Sequence, residues 1–385
     1  MKVLYVVNNY YAEGNGLSAS ARRTVKYLKE AGLEVKTISA ANPYSNLEEP
    51  DYILPDFKVP IFDGLVRKQG YSFSKSDDDV IREAVRWADV VHLEEPFIIQ
   101  MRTCKIAKEE GVPLTATYHL HPENLYASIH MRKNMPLNNA TMKVWKEAVF
   151  DNCKIIQCPT ENVKERLVKW KYKADLRVIS NGMLPNDDKL LSNTVTGVNV
   201  KNKDIYNVVC TGRYSVEKDQ ATLLKAMKYS KYADKIQLIL LGQGPNEAPL
   251  KRLAIKLVNK GIIKNQPIFK FCTLDELKEI YKEADLYVHC AVIEVEGLSC
   301  MEAIQMGVVP IIAKGKLSAT SQFALSDKSI FKEKDAKELA EKIDYWITHD
   351  EERIKEAKKY LGSEKKYDIH KSIDLLVKMY QDAIK

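Results

Sequence analysis

Residues 3–39 read VLYVVNNYYAEGNGLSASARRTVKYLKEAGLEVKTIS, and this stretch predicts the fold of the chain. Residues 3–7 are a short, β-branched and apolar run, which is typical of a buried strand. Apolar residues then recur at helical spacing over 17–31, and Gly32 ends that predicted helix. Residues 34–39 predict a second strand. A strand, a helix and a strand in such close succession favour a parallel sheet covered by helices.

The same alternation continues along the chain and divides into two series. The first series predicts strands at 90–93, 114–118, 155–158 and 176–179, and helices at 76–88, 101–110, 142–152 and 163–169. Residues 185–204 are rich in Asn, Asp, Thr and Lys, which is typical of a linker. The second series predicts strands at 207–210, 236–241, 268–271, 286–290 and 309–313, with helices between them and a last amphipathic helix at 369–384. The fold class is therefore α/β, with two doubly wound, Rossmann-like domains at 1–190 and 200–365.

Composition excludes several classes of protein. The 385 residues carry 59 basic and 52 acidic side chains, a net charge of +7 that is spread along the chain. This diffuse charge suits an anionic substrate or a membrane surface, but it does not predict a nucleic-acid partner. No run of ~18 apolar residues predicts a transmembrane helix, and the N-terminus lacks the pattern of a signal peptide. Seven cysteines without a CxxC pair argue against a disulfide framework or a structural zinc site, so we expect a cytoplasmic protein.

The glycine-rich loop before the first helix has alternative interpretations. Gly14, Gly16 and Ala19 fit the G-x-G-x-x-A fingerprint of dinucleotide sites. A long loop precedes Gly14, and the second predicted strand does not end in an acid, so a nicotinamide or flavin site is disfavoured. Two alternatives remain: a flexible connection, and a loop whose backbone N–H groups approach an anionic ligand.

Two groups of charged residues in the first half could bind a metal. Residues 77–79 are three aspartates, and a D-x-D motif holds a metal in one class of sugar transferases. Here they open a predicted helix, where acidic side chains complement the helix dipole, so we predict no metal there. The second group lies at the carboxyl ends of predicted parallel strands, where open sheets bind ligands, and consists of His92, Glu94, His119 and His121. A metal would need further ligands that the sequence does not show, so a histidine that hydrogen-bonds a ligand and a packed histidine remain the alternatives.

The second half carries a more specific set of residues. Arg213 and Lys218 lie on either side of a strand-to-helix turn that contains a glycine, and two such cations can neutralise a diphosphate. Residues 242–245, GQGP, form a tight turn after another predicted strand. Two carboxylates, Glu294 and Glu302, are separated by seven residues, with a helix start between them. The spacing predicts acceptors for sugar hydroxyls at both ends and phosphate-binding N–H groups in the middle.

These motifs resemble a known family, the retaining GT-B glycosyltransferases of the large family four (glycosyl transferases group 1). The family includes sucrose synthases, phosphatidylinositol mannosyltransferases and glucosyldiacylglycerol synthases. The matching segments, in the family's order, are 211–213 with Lys218, 242–245, 281–285, 294–302, and 306–307 with Pro310. The resemblance is strongest over about 205–315, and in the first half it depends on 14–16, 88–92 and 117–119.

The resemblance implies two Rossmann-like domains that face each other across a cleft, with the nucleotide sugar held mainly by the second. It also implies that the last helix, within 366–385, crosses back to the first domain. Arg213 and Lys218 would hold the diphosphate, Glu302 the ribose hydroxyls and Glu294 the hydroxyls of the donor sugar. Phosphate and nucleotide contacts would come from Gly16, Gly244, Leu298 and Ser299. His119 would sit beside the reacting sugar.

The chain departs from the family at one position, where Glu296 replaces an aromatic residue two places after the first acid. We expect a retaining, metal-independent transferase that needs no cofactor and moves a hexose, with UDP as the favoured nucleotide. The acceptor is expected to be a glycan or a lipid-linked molecule, and residues 128–146 mix cations with apolar side chains that could touch a membrane. The alternatives are another GT-B enzyme, such as a sugar-nucleotide epimerase, and a non-catalytic nucleotide-sugar binding protein.

Overall fold

A computed structural model describes residues 1–10, 16–40, 49–58, 73–127, 131–185 and 204–385. These residues form two compact units. The first contains Met1–Tyr126, Met131–Gly182 and Ile369–Lys385, and the second contains Met183–Asp368. The predicted linker, apart from its two end residues, lies outside the described residues, and so does Gly14.

The first unit alternates strands and helices. Its elements are β1 (Lys2–Val6), α1 (Gly16–Glu30), β2 (Glu34–Ala40), β3 (Tyr52–Leu54), β4 (Asp56–Phe57), β5 (Phe73–Ser74), α2 (Asp78–Trp87), β6 (Val90–Leu93), α3 (Ile98–Glu109), β7 (Leu114–Thr117), α4 (Pro122–Ala127), α5 (Met135–Ala148), β8 (Ile155–Cys158), α6 (Glu161–Lys169) and β9 (Asp175–Val178). Seven of the strands form a parallel sheet in the order β3-β2-β1-β6-β7-β8-β9. β4 and β5 form a separate antiparallel pair.

The second unit repeats the arrangement and is followed by one more helix. Its elements are β10 (Tyr206–Thr211), α7 (Gln220–Ala226), β11 (Ile236–Leu241), α8 (Glu247–Asn259), β12 (Ile268–Lys270), α9 (Leu274–Lys282), β13 (Leu286–His289), β14 (Ile293–Glu294), α10 (Leu298–Gln305), β15 (Val309–Lys314), β16 (Leu317–Ser318), β17 (Ile330–Lys332), α11 (Ala336–Thr348) and α12 (Asp350–Tyr360), and the chain ends with α13 (Ile369–Ile384). Six strands form a parallel sheet in the order β12-β11-β10-β13-β15-β17. The α/β, twin Rossmann-like fold class predicted from the sequence is confirmed.

The helix that begins at Asp78 shows how local sequence sets the element bounds. The side chain of Asp77 caps it by accepting hydrogen bonds from the amides of Asp79 and Val80 at 3.2 and 3.3 Å. The carboxylate of Asp78 pairs with Arg102. Acidic side chains in the first turn also interact favourably with the positive end of the helix dipole. The aspartates at 77–79 therefore open a helix, as predicted.

The last helix, α13, belongs to the first unit. It buries one face in that unit's core, with Ile369, Ile373, Leu376, Met379, Tyr380 and Ala383 beside strand and helix residues such as Val3 and Val25. Its opposite face carries Leu375, which is 48% exposed. An amphipathic stripe of this kind holds a helix to a sheet through hydrophobic burial.

In each sheet, the chain first adds strands on one side of the first strand and then adds the later strands on its other side. The position between the two groups is the switch point of the sheet. β1 pairs with β2 on one side and with β6 on the other. β10 is likewise flanked by β11 and β13. Open α/β sheets bind ligands outside the carboxyl ends of the strands at such points. The two switch points therefore mark where a site is expected in each unit.

Candidate functional site

The turn after β10 carries the two cations that the sequence analysis assigned to a diphosphate. Arg213 Nη2 donates to Glu217 Oε1 at 2.7 Å, and Lys218 Nζ donates to a carboxylate oxygen of Glu294. The side chains of Arg213 and Lys218 are 28% and 23% exposed. Both cations thus reach the surface while each is paired with a carboxylate. Glu217 was not predicted as a site residue, although its position directly before Lys218 is a signal that identifies it as a possible partner of these cations.

Two glycines allow the GQGP turn to pack against the turn that carries Arg213. Gly244 has a φ of +154°, and a Cβ there would lie 2.6 Å from the carbonyl oxygen of Tyr214. Gly242 has a φ of +151°, and a Cβ there would lie 2.2 Å from the oxygen of Gly212. Backbone therefore meets backbone at the end of β10 and β11, an approach that only glycine permits.

Glu294 contacts both Lys218 and His289 in the candidate site of the second unit. It lies in β14, which pairs with β16, and its side chain is 16% exposed. Burial alone would raise the pKa of its carboxyl, but the ammonium of Lys218 and the imidazole of His289 lower that pKa to about 2. His289 Nε2 lies 3.5 Å from the carboxylate. Glu294 is therefore an ionised group that can only accept hydrogen bonds at neutral pH.

A chain of polar side chains connects Glu294 to the start of α10. The hydroxyl of Tyr287 lies 3.2 Å from His289 Nδ1 and donates to Ser299 Oγ at 3.1 Å. Thr320 Oγ1 lies 3.3 Å from the other ring nitrogen of His289. Burial lowers the pKa of His289, so its ring is neutral in this network. His289 falls within the strand predicted at 286–290, and no motif in the sequence marks it as a site residue.

The start of α10 presents an uncapped helix end. Gly297 is the N-cap, with a φ of +96°, and it has no side chain that could accept from the first amides. Leu298 and Ser299 are half-buried, and Glu302 is half-buried one turn further along. Amides at a helix N-terminus attract anions through their unpaired N–H groups and the helix dipole. Glu296, which precedes this helix, is buried, with 2% of its surface exposed.

The first unit places three of its four predicted site residues together. Glu94 follows β6, and its carboxylate lies 2.6 Å from Nε2 of His119 and 3.3 Å from Nε2 of His92. The Nδ1 atom of His121 lies 3.4 Å from the hydroxyl of Tyr118. In the part of the chain that the structure describes, no group of three or more His, Cys, Asp or Glu side chains could hold a metal ion.

The sequence also predicted two other features of the first unit, a phosphate contact at Gly16 and a membrane contact within 128–146. Gly16 is the first residue of α1, and a Cβ added to it would have no neighbour within 4 Å. Within 131–146, Met131 and Val144 are exposed, whereas Met142 and Trp145 are buried in the unit. The first three residues of the predicted membrane-contact segment, 128–130, lie outside the described residues. No described helix is both long and apolar enough to cross a membrane.

Comparisons of this chain with known proteins all find glycosyltransferases. The family model described as Glycosyl transferases group 1 matches residues 194–381, and the model described as Glycosyltransferase Family 4 matches residues 14–185. The structure of HepE from Anabaena, solved with UDP and glucose, covers 99% of each chain with a TM-score of 0.74 at 15% identity. At that identity the likeness shows the fold alone, which is GT-B.

Two curated relatives extend over most of the chain. Alpha-monoglucosyldiacylglycerol synthase of Streptococcus pneumoniae is 25% identical over 327 residues, which is 82% of this chain and 71% of the relative. GDP-mannose-dependent alpha-mannosyltransferase of Corynebacterium glutamicum is 22% identical over 321 residues, which is 81% of this chain and 72% of the relative. The chain belongs to the glycosyl transferases group 1, within family four. It is a glycosyltransferase of the hexosyl-transferring class.

Proposed function

We propose that this enzyme transfers a hexose from a nucleoside diphosphate sugar, with UDP as the favoured nucleotide, to a glycan or lipid-linked acceptor. One observation carries the proposal. Arg213, Lys218 and the open N-terminus of α10 all lie at the carboxyl edge of the second unit's sheet, beside its switch point. Such groups stabilise the charge that develops on a leaving diphosphate, and they can do so without a metal ion or another cofactor.

The ion pairs of the free enzyme suggest how the donor is bound. Lys218 and Glu294 neutralise each other in this structure. When the donor enters, the ammonium of Lys218 turns to the diphosphate, and the carboxylate of Glu294 accepts from the hydroxyls of the sugar. Glu302 accepts from the ribose hydroxyls, and the amides of Leu298 and Ser299 donate to phosphate oxygens. Gly244 lets its turn pack against the turn that carries Arg213 and so presents both to the nucleotide, and Gly16 is proposed to bind the distal phosphate.

Stereochemistry is proposed as retention. The relatives from Streptococcus pneumoniae and Corynebacterium glutamicum are both named as alpha-transferases. UDP-glucose and GDP-mannose are themselves α-linked, so an α-linked product retains the configuration of the donor. In a front-face mechanism the leaving phosphate takes the proton of the acceptor hydroxyl, and His119 lies at the reacting sugar. UDP is favoured because HepE, which shares the fold, was solved with UDP and glucose.

A peripheral membrane contact is proposed for a lipid-linked acceptor. The surface at and before α5 exposes Met131, Met135 and Val144. Lys133 and Lys143 are exposed on the same segment. Apolar side chains interleaved with cations bind to anionic lipid surfaces. The name of the relative from Streptococcus pneumoniae, a glucosyldiacylglycerol synthase, agrees with an acceptor of this kind.

A donor and acceptor panel tests the proposed function. Purified enzyme is incubated with UDP-, GDP- and ADP-hexoses, with and without lipid or glycan extracts, in buffer with and without EDTA. We expect acceptor-dependent release of UDP that persists in EDTA, and an α-configured product by proton NMR. An epimerised donor without acceptor would identify an epimerase, and donor binding without any product would identify a binding protein. A strict requirement for manganese or magnesium would contradict the metal-independent mechanism.

A further inference from the structure

Two carboxylates stand side by side where β6 ends, at the switch point of the first unit. Glu94 and Glu95 are 1% and 2% exposed, so both are buried to the same degree. Their partners differ, however, and so does the charge that each carries. The proposed function assigns a role to His119, but it assigns none to either of these acids.

Glu94 is held as a carboxylate. The hydroxyl of Tyr5 donates to its Oε1, and the imidazoles of His119 and His92 lie 2.6 and 3.3 Å away. Burial alone would raise the pKa of this carboxyl, but the two histidines lower it well below its ordinary value. A buried carboxylate is costly unless its partners compensate for the lost water, so these contacts are what keeps Glu94 ionised.

Glu95 is held as a neutral acid. It accepts a hydrogen bond from the amide of Asn8 at 3.1 Å and one from Gln100 Nε2 at 2.7 Å. Gln100 in turn accepts from Asn8 Nδ2 at 3.1 Å. Burial and the neighbouring charge of Glu94 raise the pKa of Glu95 well above its ordinary value. Asn8 lies in the turn after β1, and Gln100 lies in α3.

The two histidines that face Glu94 differ in the hydrogen bonds that their ring nitrogens make with other groups. His92 has a threonine hydroxyl on each ring nitrogen, Thr115 at 3.0 Å and Thr117 at 2.9 Å. Its side chain is 1% exposed, whereas that of His119 is 9% exposed. His92 is therefore a packed histidine, and His119 is the one that reaches the surface of the unit.

We propose that Glu94 is the positioning residue of His119: its carboxylate fixes the imidazole through Nε2 and so presents Nδ1 to the substrate. A carboxylate on one ring nitrogen selects the tautomer and the ring orientation, which decides what the other nitrogen can accept or donate. The inference rests on the proposed function, because His119 is the residue placed at the reacting sugar. Tyr5 on β1 and Tyr380 on α13 also lie near Glu94, and both stay neutral because burial and the charge of Glu94 raise their pKa values.

The matched variants are Glu94→Gln and Glu95→Gln. Glu94→Gln replaces an anion by a neutral group, whereas Glu95→Gln replaces a neutral acid by a neutral amide of the same shape. We expect Glu94→Gln to lower kcat about ten- to hundredfold, which is the range for carboxylates that orient a metal-bound histidine. The KM for the donor should stay within about twofold because the donor is proposed to be held mainly by the second unit. Glu95→Gln should leave both constants within about twofold, and Glu94→Asp should recover part of the lost kcat.

A spectroscopic readout separates positioning from a structural role. In the free wild-type enzyme, the Nε2 proton of His119 should give a downfield resonance in proton NMR, because it lies against a carboxylate. The resonance should persist in Glu95→Gln and move upfield in Glu94→Gln, while thermal melting shows that both variants are folded. Its assignment follows from its loss in His119→Ala.

The outcomes distinguish this inference from the function on which it rests. Wild-type kcat and an unmoved resonance in Glu94→Gln would overturn the positioning role, even where His119→Ala is inactive. Full activity of His119→Ala would overturn it as well, since the histidine would then have nothing to position. Failure of the wild-type enzyme to transfer any hexose would contradict the proposed function itself, and the NMR resonance would still show whether Glu94 holds His119.

Discussion

Each cation of the candidate site in the second unit is paired with one carboxylate. Arg213 is paired with Glu217, whose side chain is 4% exposed, and Lys218 is paired with Glu294. Burial would raise the pKa of the Glu217 carboxyl, but the guanidinium of Arg213 lowers it. In the proposed function, the donor diphosphate replaces these carboxylates as the partner of each cation. Binding then exchanges ion pairs, so neither cation has to be desolvated without a partner.

The first prediction concerns those two cations. Arg213→Ala and Lys218→Ala should each lose about 2–4 kcal/mol of transition-state stabilisation, as for the loss of one preorganised donor. The loss should appear in kcat, measured by release of nucleoside diphosphate. The control is Lys251→Ala, which removes a 49%-exposed ammonium that pairs with Glu247 on α8 and should leave kcat unchanged. Near wild-type turnover of either site variant would remove that residue from the diphosphate site.

Acid stability provides a second test at the scale of single residues. The pKa of Glu294 is lowered from its ordinary value of 4.5 to about 2 in the folded enzyme. The ionised form therefore stabilises the fold above about pH 4.5 by about 3 kcal/mol, and this contribution is lost as the pH falls towards 2. Urea unfolding should show that the advantage of the wild type over Glu294→Gln shrinks across this interval. A pH-independent difference would contradict the assigned charge state, and Glu341→Gln, on an exposed position of α11, is the control.

Among the elements, the turn that follows β11 depends most directly on backbone geometry. Gly244→Ala would place a Cβ 2.6 Å from the carbonyl oxygen of Tyr214, at a φ of +154°. Gly261→Ala is the matched control, because Gly261 also has a positive φ, of +65°, but nothing within 4 Å of a Cβ. We expect Gly261→Ala to cost about 1 kcal/mol of unfolding free energy and Gly244→Ala to cost about 1–3 kcal/mol more, with weaker donor binding. Equal melting temperatures would show that the turn can move aside.

The helix α13 offers a matched pair of neighbouring leucines. Leu376 is 3% exposed in the core of the first unit, and Leu375 is 48% exposed. Leu376→Ala should lower the free energy of unfolding by about 2–5 kcal/mol, because it leaves a cavity in the core. Leu375→Ala should change it by about 0.5 kcal/mol or less. Similar losses for both variants, measured by denaturant unfolding, would mean that α13 does not bury this face on the sheet in solution.

At the scale of the whole molecule, sequence periodicity predicted helices and strands better than it predicted which side chains contact one another. Strands such as Ile155–Cys158 and Ile236–Leu241 were predicted at their observed bounds, because most of their residues are apolar. The helix predicted at 142–152 begins at Met135 instead, since Asn134 caps it and Pro136 occupies its first turn. The strand Tyr52–Leu54 was missed because three residues are too few to show a period.

Some residues of the candidate site were predicted from the sequence, and their partners in space were not. Strand-end motifs indicated Arg213, Lys218 and Glu294, because parallel strands bring their carboxyl ends to one edge. The partners of these residues, Glu217 and His289, depend on contacts in space that no local spacing encodes. The 2.6 Å approach of Glu94 to His119 is of the same kind, since the two residues follow different strands of the first unit.

The most direct test of the account compares binding of UDP and of a UDP-hexose by calorimetry in Glu302→Ala and Glu294→Ala. UDP contains ribose but no hexose, so Glu302→Ala should weaken both ligands by about ten- to hundredfold. Glu294→Ala should weaken the UDP-hexose by a similar factor and leave UDP nearly unchanged. Equal losses for both ligands in both variants would contradict the assignment of the two acids. No loss in either variant would contradict a nucleotide-sugar site in the second unit.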